Sequence, residues 1–536
     1  MRRTDWLSLN GIWSLKTEGD GEKDILVPFC PESRQSGWEG RIEYGRNMRY
    51  KRDFTVPEEW AGKRILLHFG AVSNRCEVFV NNKKVCEHEN GYLAFTADIT
   101  DFLDFGAGVE NLLEVDVVND LGGRLPTGKQ KIERGGMWYT PVSGIWQSVW
   151  AEPVPADHIK KLTIKTDLNG ADIIVEGVSE GTVTCEGCEY AFSDGKVRIE
   201  PDVKRLWSPE SPYLYDFCVK SGEDTVKSYF ALRTVSVKTS KGVPRLCLND
   251  RPYFFHGLLD QGYFDEGIYT PASLKDYEND ILAMKGLGFN MLRKHIKIEP
   301  EQFYYDCDRL GMVVFQDMVN NGKYSFFRDT LLPTIGLKRR SDRRLHRDPD
   351  ARTAFFRAME QTVAQLSNHP CICYWTIFNE GWGQFEADKA YEFLKKLDDS
   401  RITDPASGWF KQHRSDVDSR HIYFRKLKWK KKTDLPQVLS EFGGYVYKIP
   451  EHSYNLEKTY GYGIMPDRKA YVDALRRLYS EEVLPLVNEG LSAAVYTQVS
   501  DVEDETNGLL TYDRQVQKIT PEEFFDISAK ITAQNR

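Results

Sequence analysis

The chain has 536 residues, of which 41% are hydrophobic and 28% charged, with a formal net charge of −8. Such a length exceeds the reach of one hydrophobic core and implies several domains, while the balance of apolar and charged residues excludes a disordered chain. The acidic excess argues against a nucleic-acid partner. No stretch is apolar enough for a membrane span, and the opening "MRRTDWLSLNGIWSL" lacks the apolar core and cleavage site of an export signal. Ten cysteines are sparse for this length, and the lone C-x-x-C of Cys185 and Cys188 has no matched second pair for a zinc site. Reduced thiols in a cytoplasmic protein, with no cofactor and no metal, are the expectation.

In chain order, residues 1 to about 235 read as β-strands throughout. Short alternating runs such as "RILLHFGAV", "EVFVNNKKV", "LLEVDVV" and "SVWAEPV" are separated by turn residues. Two prolines in "AEPVPADHIKK" interrupt the pattern and mark a boundary, so that residues 1–155 form one β-sandwich. Residues 156–238 then form a smaller, immunoglobulin-like sandwich from "LTIKTDL", "ADIIVEGV", "GTVTCEG", "KVRIEP", "LYDFCVK" and "KSYFALRTVSV".

From residue 239 onward apolar strands alternate with amphipathic helices, the pattern of a parallel sheet with crossover helices. Strands are expected at 253–260, 289–295, 312–318, 371–380, 421–424, 437–443 and 493–501, with one more near "SGWF" at 407–410. Helices are expected in "PASLKDYENDILAMKGLG", "DPDARTAFFRAMEQTVAQLSNHP" and "DRKAYVDALRRLYSEEVLPLVNEG". Eight strand–helix units over 239–536 fit a (β/α)8 TIM barrel. The gap between 410 and 422 leaves room for a very short helix or none. The basic run "RKLKWKKK" at 425–432 reads as a solvated face.

In such a barrel, working groups project from the C-terminal strand ends. There the sequence places His256 and Asp260, then Arg293, Lys294 and His295, then Asp317, Asn379 and Glu380, His421 and Tyr423, Glu441, and Tyr496, Gln498 and Asp501. Any one of these acids has an ordinary reading as a helix cap; their convergence on one rim does not. Two glutamates on separated strand ends suit glycoside hydrolysis, one as protonated acid and the other as ionised nucleophile, about 5–5.5 Å apart for retention. Arg293 is expected to keep the nucleophile ionised, and Asn379 to hydrogen-bond a sugar hydroxyl. Trp375, Trp382 and Tyr445 are candidates for stacking on a sugar ring, although Trp375 is equally readable as core.

The motifs taken together resemble glycoside hydrolase family 2, which includes β-galactosidases, β-glucuronidases and β-mannosidases. "LNGIWSL", "VPFCPES", "MRYKRDFTVP", "KRILLHFGAV", "VFVNNKKV" and "VSGIWQSVWAEPV" are similar to the family's jelly-roll, sugar-binding domain, and "LWSPESPYLY" with "ALRTVSV" to the end of its immunoglobulin-like domain. "NHPCICYWTIFNEGWG" resembles the acid/base motif and implies that Glu380 is the acid/base; "VLSEFGG" resembles the nucleophile motif and implies Glu441. "MKGLGFNMLRKHIKIEPEQFYYDCDRLGMVVFQD", "SGWFKQHRSDVDSRHIY" and "YTQVSDVEDETNGLLTYDR" are similar to the segments around the second, fifth to sixth and eighth strands.

The resemblance implies a retaining exo-β-glycosidase acting on an oligosaccharide or glycoside. Arg293, Asn379, His421 and Tyr423 would position sugar and carboxylates, with Asp260, His256, His295, Asp317, Trp382, Tyr445 and Gln498 as further substrate contacts. A homo-oligomer is in keeping with the family.

Two departures bear on the sugar. "LRKHIKIEP" lacks the Tyr-Pro that commonly follows the histidine. "EDETNGLLTYDR" lacks the Asn-x-Lys pair with which β-glucuronidases bind the sugar carboxylate. Asp501, Glu503, Asp504 and Glu505 would repel a uronate or else form a solvated loop. A neutral β-galactoside is the expected substrate; a β-mannoside, β-galactofuranoside or β-arabinoside remains open. The other readings are glycosyl transfer to a second sugar instead of water, and a carbohydrate-binding protein with an inactive barrel. The chain is expected to carry no domain beyond its last helix, "TPEEFFDISAKIT".

Overall fold

A computed structural model describes residues 1–19, 21–38, 40, 42–331, 341–423, 425–428 and 433–535. Phe424 and half of the basic run, residues 429–432, therefore lie outside the described residues.

The first layer pair joins a six-stranded and a four-stranded antiparallel sheet. Alternation drives it. In Glu110–Val118 every second side chain turns inward, and Leu113, Val115 and Val117 meet Trp13, Tyr50, Leu67 and Val78 in one core. The second sandwich sets three strands over four. Its sequence contains one strand more than the pattern suggested, Cys188–Phe192, which folds back on Gly181–Cys185. Cys185 and Cys188 face each other across a two-residue turn in which Glu186 and Gly187 both have positive φ, 48° and 81°. The C-x-x-C is thus a hairpin end, and both thiols are free.

Eight parallel strands make the barrel: β1 Phe255–Asp260, β2 Met291–Lys294, β3 Val313–Asp317, β4 Ile372–Asn379, β5 Ile402–Ser407, β6 Asp418–Ile422, β7 Gln437–Phe442 and β8 Leu491–Tyr496. Ladders run from β5 through β4, β3, β2, β1, β8 and β7 to β6, and β5 and β6 close the ring side by side without a ladder. The fifth strand is "ITDPAS", earlier than the "SGWF" that its apolar residues suggested. Pro405 has no N–H to give a neighbour, and a strand with one unpaired side tolerates that loss. No helix connects β5 to β6 among the described residues.

Outside the strands lie α1 Lys275–Gly286, α2 Glu301–Leu310, α3 Pro349–Leu366, α4 Ala387–Leu397, α5 Arg468–Leu478 and α6 Pro521–Thr532. Asp348 caps α3 ahead of a proline at its start, and Thr520 with Glu523 forms a capping box on α6. The hairpin of Val235–Ser240 with Val243–Leu248 lies against the floor of the barrel, where the Leu246 N–H donates to Ser492 Oγ at 3.2 Å. No helix among the described residues is long and apolar enough to cross a membrane.

One connection of the first sandwich, residues 119–143, leaves its own sheets and lies across the barrel mouth. The Thr127 and Gly128 N–H groups donate to the Asn320 carbonyl just past β3, at 3.0 and 3.3 Å. Asn321 returns a bond to the Arg124 carbonyl at 2.8 Å. Thr140 N–H donates to Glu503 at 2.9 Å, and the Tyr139 hydroxyl donates to Glu505, both past β8.

Candidate active site

The centre of the mouth is a guanidinium. Arg293 ends β2 with its side chain turned inward and 1% exposed. Its Nε donates to Asp317 at 3.0 Å, Nη1 to Glu441 at 2.9 Å and to the Ser440 carbonyl at 3.1 Å, and Nη2 to Asn379 Oδ1 at 2.9 Å. One planar fork therefore fixes side chains from β3, β4 and β7, a task for which arginine geometry is suited. Asp317 also meets His295 Nδ1 at 2.7 Å. Burial pushes the Asp317 carboxyl up, but Arg293 and His295 outweigh it and hold the group below its ordinary value.

Glu380 follows β4 at a sharp turn. Its φ is 53°, a left-handed conformation that costs a non-glycine residue about 1–2 kcal/mol. The turn is held by the Glu380 N–H bonded to the Ser407 carbonyl at 3.0 Å and by the Trp409 indole donating to the Glu380 carbonyl at 3.0 Å. The side chain thereby points at His421 Nδ1, 2.7 Å away. His421 Nε2 lies 3.0 Å from Ser407 Oγ, 3.4 Å from Arg293 Nη1 and 3.6 Å from Glu441 Oε1. An imidazole protonated at Nδ1 satisfies this set: it donates to Glu380, accepts from the serine hydroxyl, and turns its lone pair toward the guanidinium.

Donor atoms of Glu380, His421 and Glu441 all lie within 4.8 Å of one another. Among the described residues this is the only set dense enough to hold a metal ion. A guanidinium already occupies the electrostatic place of a cation beside Glu441, so the set fits an internally paired cluster better than an ion site.

The two carboxylates differ sharply in surroundings. Burial would raise Glu441, but His421 and His295, positive only when protonated, and the permanent charge of Arg293, with the Tyr423 hydroxyl donating to its other oxygen, bring it down to about 2. Glu441 is therefore an anion at neutral pH. Glu380 is bonded to His421, and 19% of its side chain is exposed to the mouth. Burial and the neighbouring carboxylates push the Tyr423 phenol well above its usual value, which keeps it a donor. Its ring stacks on Tyr462, centroids 4.2 Å apart.

Of the residues expected at the site, Arg293, His295, Asp317, Asn379, Glu380, His421, Tyr423 and Glu441 come together. Trp382 stands in the rim, with its indole on the Gly322 carbonyl and its ring edge-on to Trp138 of the first sandwich, centroids 4.9 Å apart. Gln498 reaches the mouth only indirectly, through Asn507, which donates to Glu505.

Four others lie apart. His256 sits at the start of β1, not its end. It bonds the Gly288 carbonyl and the Tyr479 hydroxyl at 3.1 Å each, and burial lowers it to about 3, so it is a neutral core side chain. Asp260 faces the helices, paired to Lys294 at 2.6 Å. Tyr445 stands just past β7, its N–H donating to the Tyr496 hydroxyl at 3.2 Å and its ring beside Gly463. Trp375 is core, its indole on Asp398 at 2.8 Å.

The acidic run past β8 is not a solvated loop. Asp501, Glu503, Asp504 and Glu505 are all buried. Asp501 meets Lys518 at 2.6 Å, Glu503 and Asp504 meet Arg134 at 3.3 and 3.4 Å, and Glu505 accepts from Tyr139.

Sequence reasoning missed Ser407 and Trp409, whose segment reads as a strand of its own and not as the end of Ile402–Ser407 and the residues after it, and Tyr462, which stands in a long connection. It also missed the whole of residues 119–143, where the absence of a strand pattern was the only signal.

The barrel with this constellation at its C-terminal rim has close counterparts. Sequence profiles described as "Glycosyl hydrolases family 2, sugar binding domain" and "Glycosyl hydrolases family 2, TIM barrel domain" match residues 41–154 and 238–454. The chain belongs to glycosyl hydrolase family 2. Among relatives in the family, a β-galactosidase of Thermoanaerobacter pseudethanolicus is 25% identical over 431 residues, covering 74% of this chain and 54% of the relative. A β-glucuronidase of Felis catus is 25% identical over 412 residues, 67% of this chain and 58% of that one. The chain thus spans little more than half the length of these relatives. A solved β-D-glucuronidase from Dictyoglomus thermophilum superposes with a TM-score of 0.77 at 19% identity, over 99% of this chain and 98% of that one, and so shares the family 2 fold.

Proposed function

We propose that this family 2 chain is a retaining exo-β-glycosidase. The observation that carries the reading is the pair Glu380 and Glu441: carboxylate oxygens within 4.8 Å of each other, one held as an anion by Arg293 and Tyr423, the other exposed to the mouth. That spacing suits a nucleophile and an acid on the two sides of one bond, and is too tight to admit the intervening water of an inverting enzyme.

In the first step Glu441 attacks the anomeric carbon. The bond to the leaving oxygen breaks, and Glu380 gives that oxygen its proton. In the second step water attacks the same carbon, Glu380 takes the water proton, and the glycosyl–Glu441 ester bond breaks. The Nδ1–H of His421 on Glu380 Oε1 leaves the other oxygen free to carry the travelling proton. The same hydrogen bond strengthens when Glu380 becomes a carboxylate. Removal of single terminal sugars is supported by the way residues 119–143 and the segment past β8 wall the mouth.

For the sugar, we propose a β-galactoside-type hexose, supported by the β-galactosidases among the relatives; β-glucuronidases stand beside them. The reason for preferring a neutral sugar weakens, because the acids at 501–505 are committed to partners within the protein. We further place the domain boundaries at 155/156, supported by Val149–Val154 and Lys161–Thr166 belonging to different sheets, and just before Val235 in place of 238/239, which would cut the Val235–Ser240 hairpin. The experiment is proton NMR of the product formed from an aryl β-glycoside, read before mutarotation. The β-anomer is expected first; the α-anomer would overturn retention.

A further inference from the structure

The first sandwich holds a cavity of its own, about 460 Å³, where the 119–143 connection folds back over residues 32–44. It stands apart from the barrel mouth, for no barrel residue lines it. Ile42, Leu121, Ile132 and Pro141 make one side apolar. Glu32, Glu43 and Glu133 bring three carboxylates to the other, and among the described residues no lysine, arginine or histidine lines it. Glu43 is paired at the rim with Arg46, while Glu133 stands exposed at the opening.

Two groups in this cavity are left wanting a donor. Asn119 is 4% exposed, and its amide nitrogen donates to the Val142 carbonyl at 3.1 Å and to Ser143 Oγ at 3.0 Å. A carbonyl can only accept, so the NH₂ must face Val142, and Oδ1 is the atom left over. That oxygen is buried and has no hydrogen-bond partner, a state that native structures avoid. Glu32 accepts from the Ser143 N–H at 3.1 Å, and no described cation lies within ion-pair distance of it. Burial raises its carboxyl above the ordinary value in spite of the hydrogen bonds from Ser143. Ser143 therefore holds both groups beside each other, Glu32 through its N–H and Asn119 through its Oγ. The Tyr44 hydroxyl is spent on Asp120. What remains is acceptor capacity alone. A sugar or other polyol needs donors as well. A calcium ion needs about six to eight oxygens, more than a wall of four apolar side chains leaves room for.

We propose that this cavity is a second binding site, for an organic ammonium ion: a protonated amine whose N–H groups reach Glu32 and Asn119 Oδ1 and whose apolar body lies against Ile42, Leu121, Ile132 and Pro141. The bound amine supplies both the missing counter-charge and the missing donor. Ile132 and Pro141 belong to the connection that walls the mouth, so the ligand joins that connection to the sandwich it leaves. The site holds whichever sugar the barrel takes.

The test is calorimetric titration of the full chain, at mildly alkaline pH, with cadaverine, with pentanediol as its uncharged counterpart and with calcium chloride. Cadaverine is expected to saturate one site, and pentanediol and calcium to give no saturable heat. E32Q is expected to weaken cadaverine by about tenfold or more, since it removes the charge-assisted hydrogen bond. E441Q is expected to bind cadaverine as the wild type does, because the mouth carboxylates take no part. If E32Q does not fold, as read by circular dichroism, E133Q is titrated in its place; its carboxylate is exposed, and a loss of about threefold is expected. No saturable heat from cadaverine would overturn the proposal. So would binding that E441Q removes and E32Q leaves, which would put the amine in the mouth. Pentanediol binding as well as cadaverine would make the cavity a polyol site, and calcium binding that E32Q abolishes would make it a metal site; either result overturns an ammonium site.

Discussion

Arg293 and Lys294 are adjacent on β2, both with side chains 1% exposed, and each heads a buried ion network. Arg293 turns inward to Asp317, Glu441 and Asn379. Lys294 turns outward, beneath the helices, to Asp260 and Glu299. There Lys297 also meets Glu299 at 2.9 Å and spends its remaining donors on the Gly262 and Tyr269 carbonyls. Burial and charge count barely separate the two networks. Closure does. The outward network is satisfied by groups of the protein itself, whereas the inward one ends at Glu380, which shares one oxygen with His421 and leaves the other toward open space. Charge at a strand end is therefore no mark of function; the face that the residue takes at that end is.

This contrast can be broken at several points. The largest effect is expected at the inward anion. E441Q should lower kcat by about 10⁴-fold or more with the fold intact, measured by steady-state release of nitrophenol and circular dichroism. Next comes the outward network. K294M leaves the Asp260 and Glu299 carboxylates short of a cation and should cost about 3–5 kcal/mol of stability. It should leave the shape of the activity–pH profile as in the wild type, so a thermal unfolding scan must move while the profile does not.

R293M removes a positive charge that holds Glu441 low. A carboxylate depressed in the folded protein rises when its cation goes, so the acid limb of kcat/KM should move to higher pH, with about 10²-fold lower activity at neutral pH. An unmoved acid limb would show that Arg293 serves the packing alone. The smallest effect belongs to H421A, which removes the donor from Glu380. Alkyl glycosides, which need their leaving oxygen protonated, should lose about tenfold more activity than dinitrophenyl glycosides, which do not. Equal losses on both would reduce His421 to a spacer.

Much of this was legible in the sequence because it is periodic or local. Apolar runs of four to eight residues with capped helices between them announce a barrel, and "FNE" or "SEF" at the end of such a run announces a rim. Register was not legible. His256 and Asp260 lie on the same short strand as inward residues, and only the pairing of Leu259 with Arg293 and of Asp260 with Lys294 shows which of them faces the mouth. The fifth strand was displaced in the reading because Pro405 imitates a turn. The acids at 501–505 read as solvent-exposed because their partners Arg134, Tyr139 and Thr140 stand more than three hundred residues earlier.

Those same long-range partners make residues 119–143 a detachable piece of inheritance. The carboxylate pair is written on strand ends, where a change of register would ruin the barrel. The wall of the mouth is written on a connection between sandwich strands, where length and sequence can drift without disturbing any ladder. On the proposed reading, one loop of a neighbouring domain could thus be rewritten while Glu380 and Glu441 stay where they are.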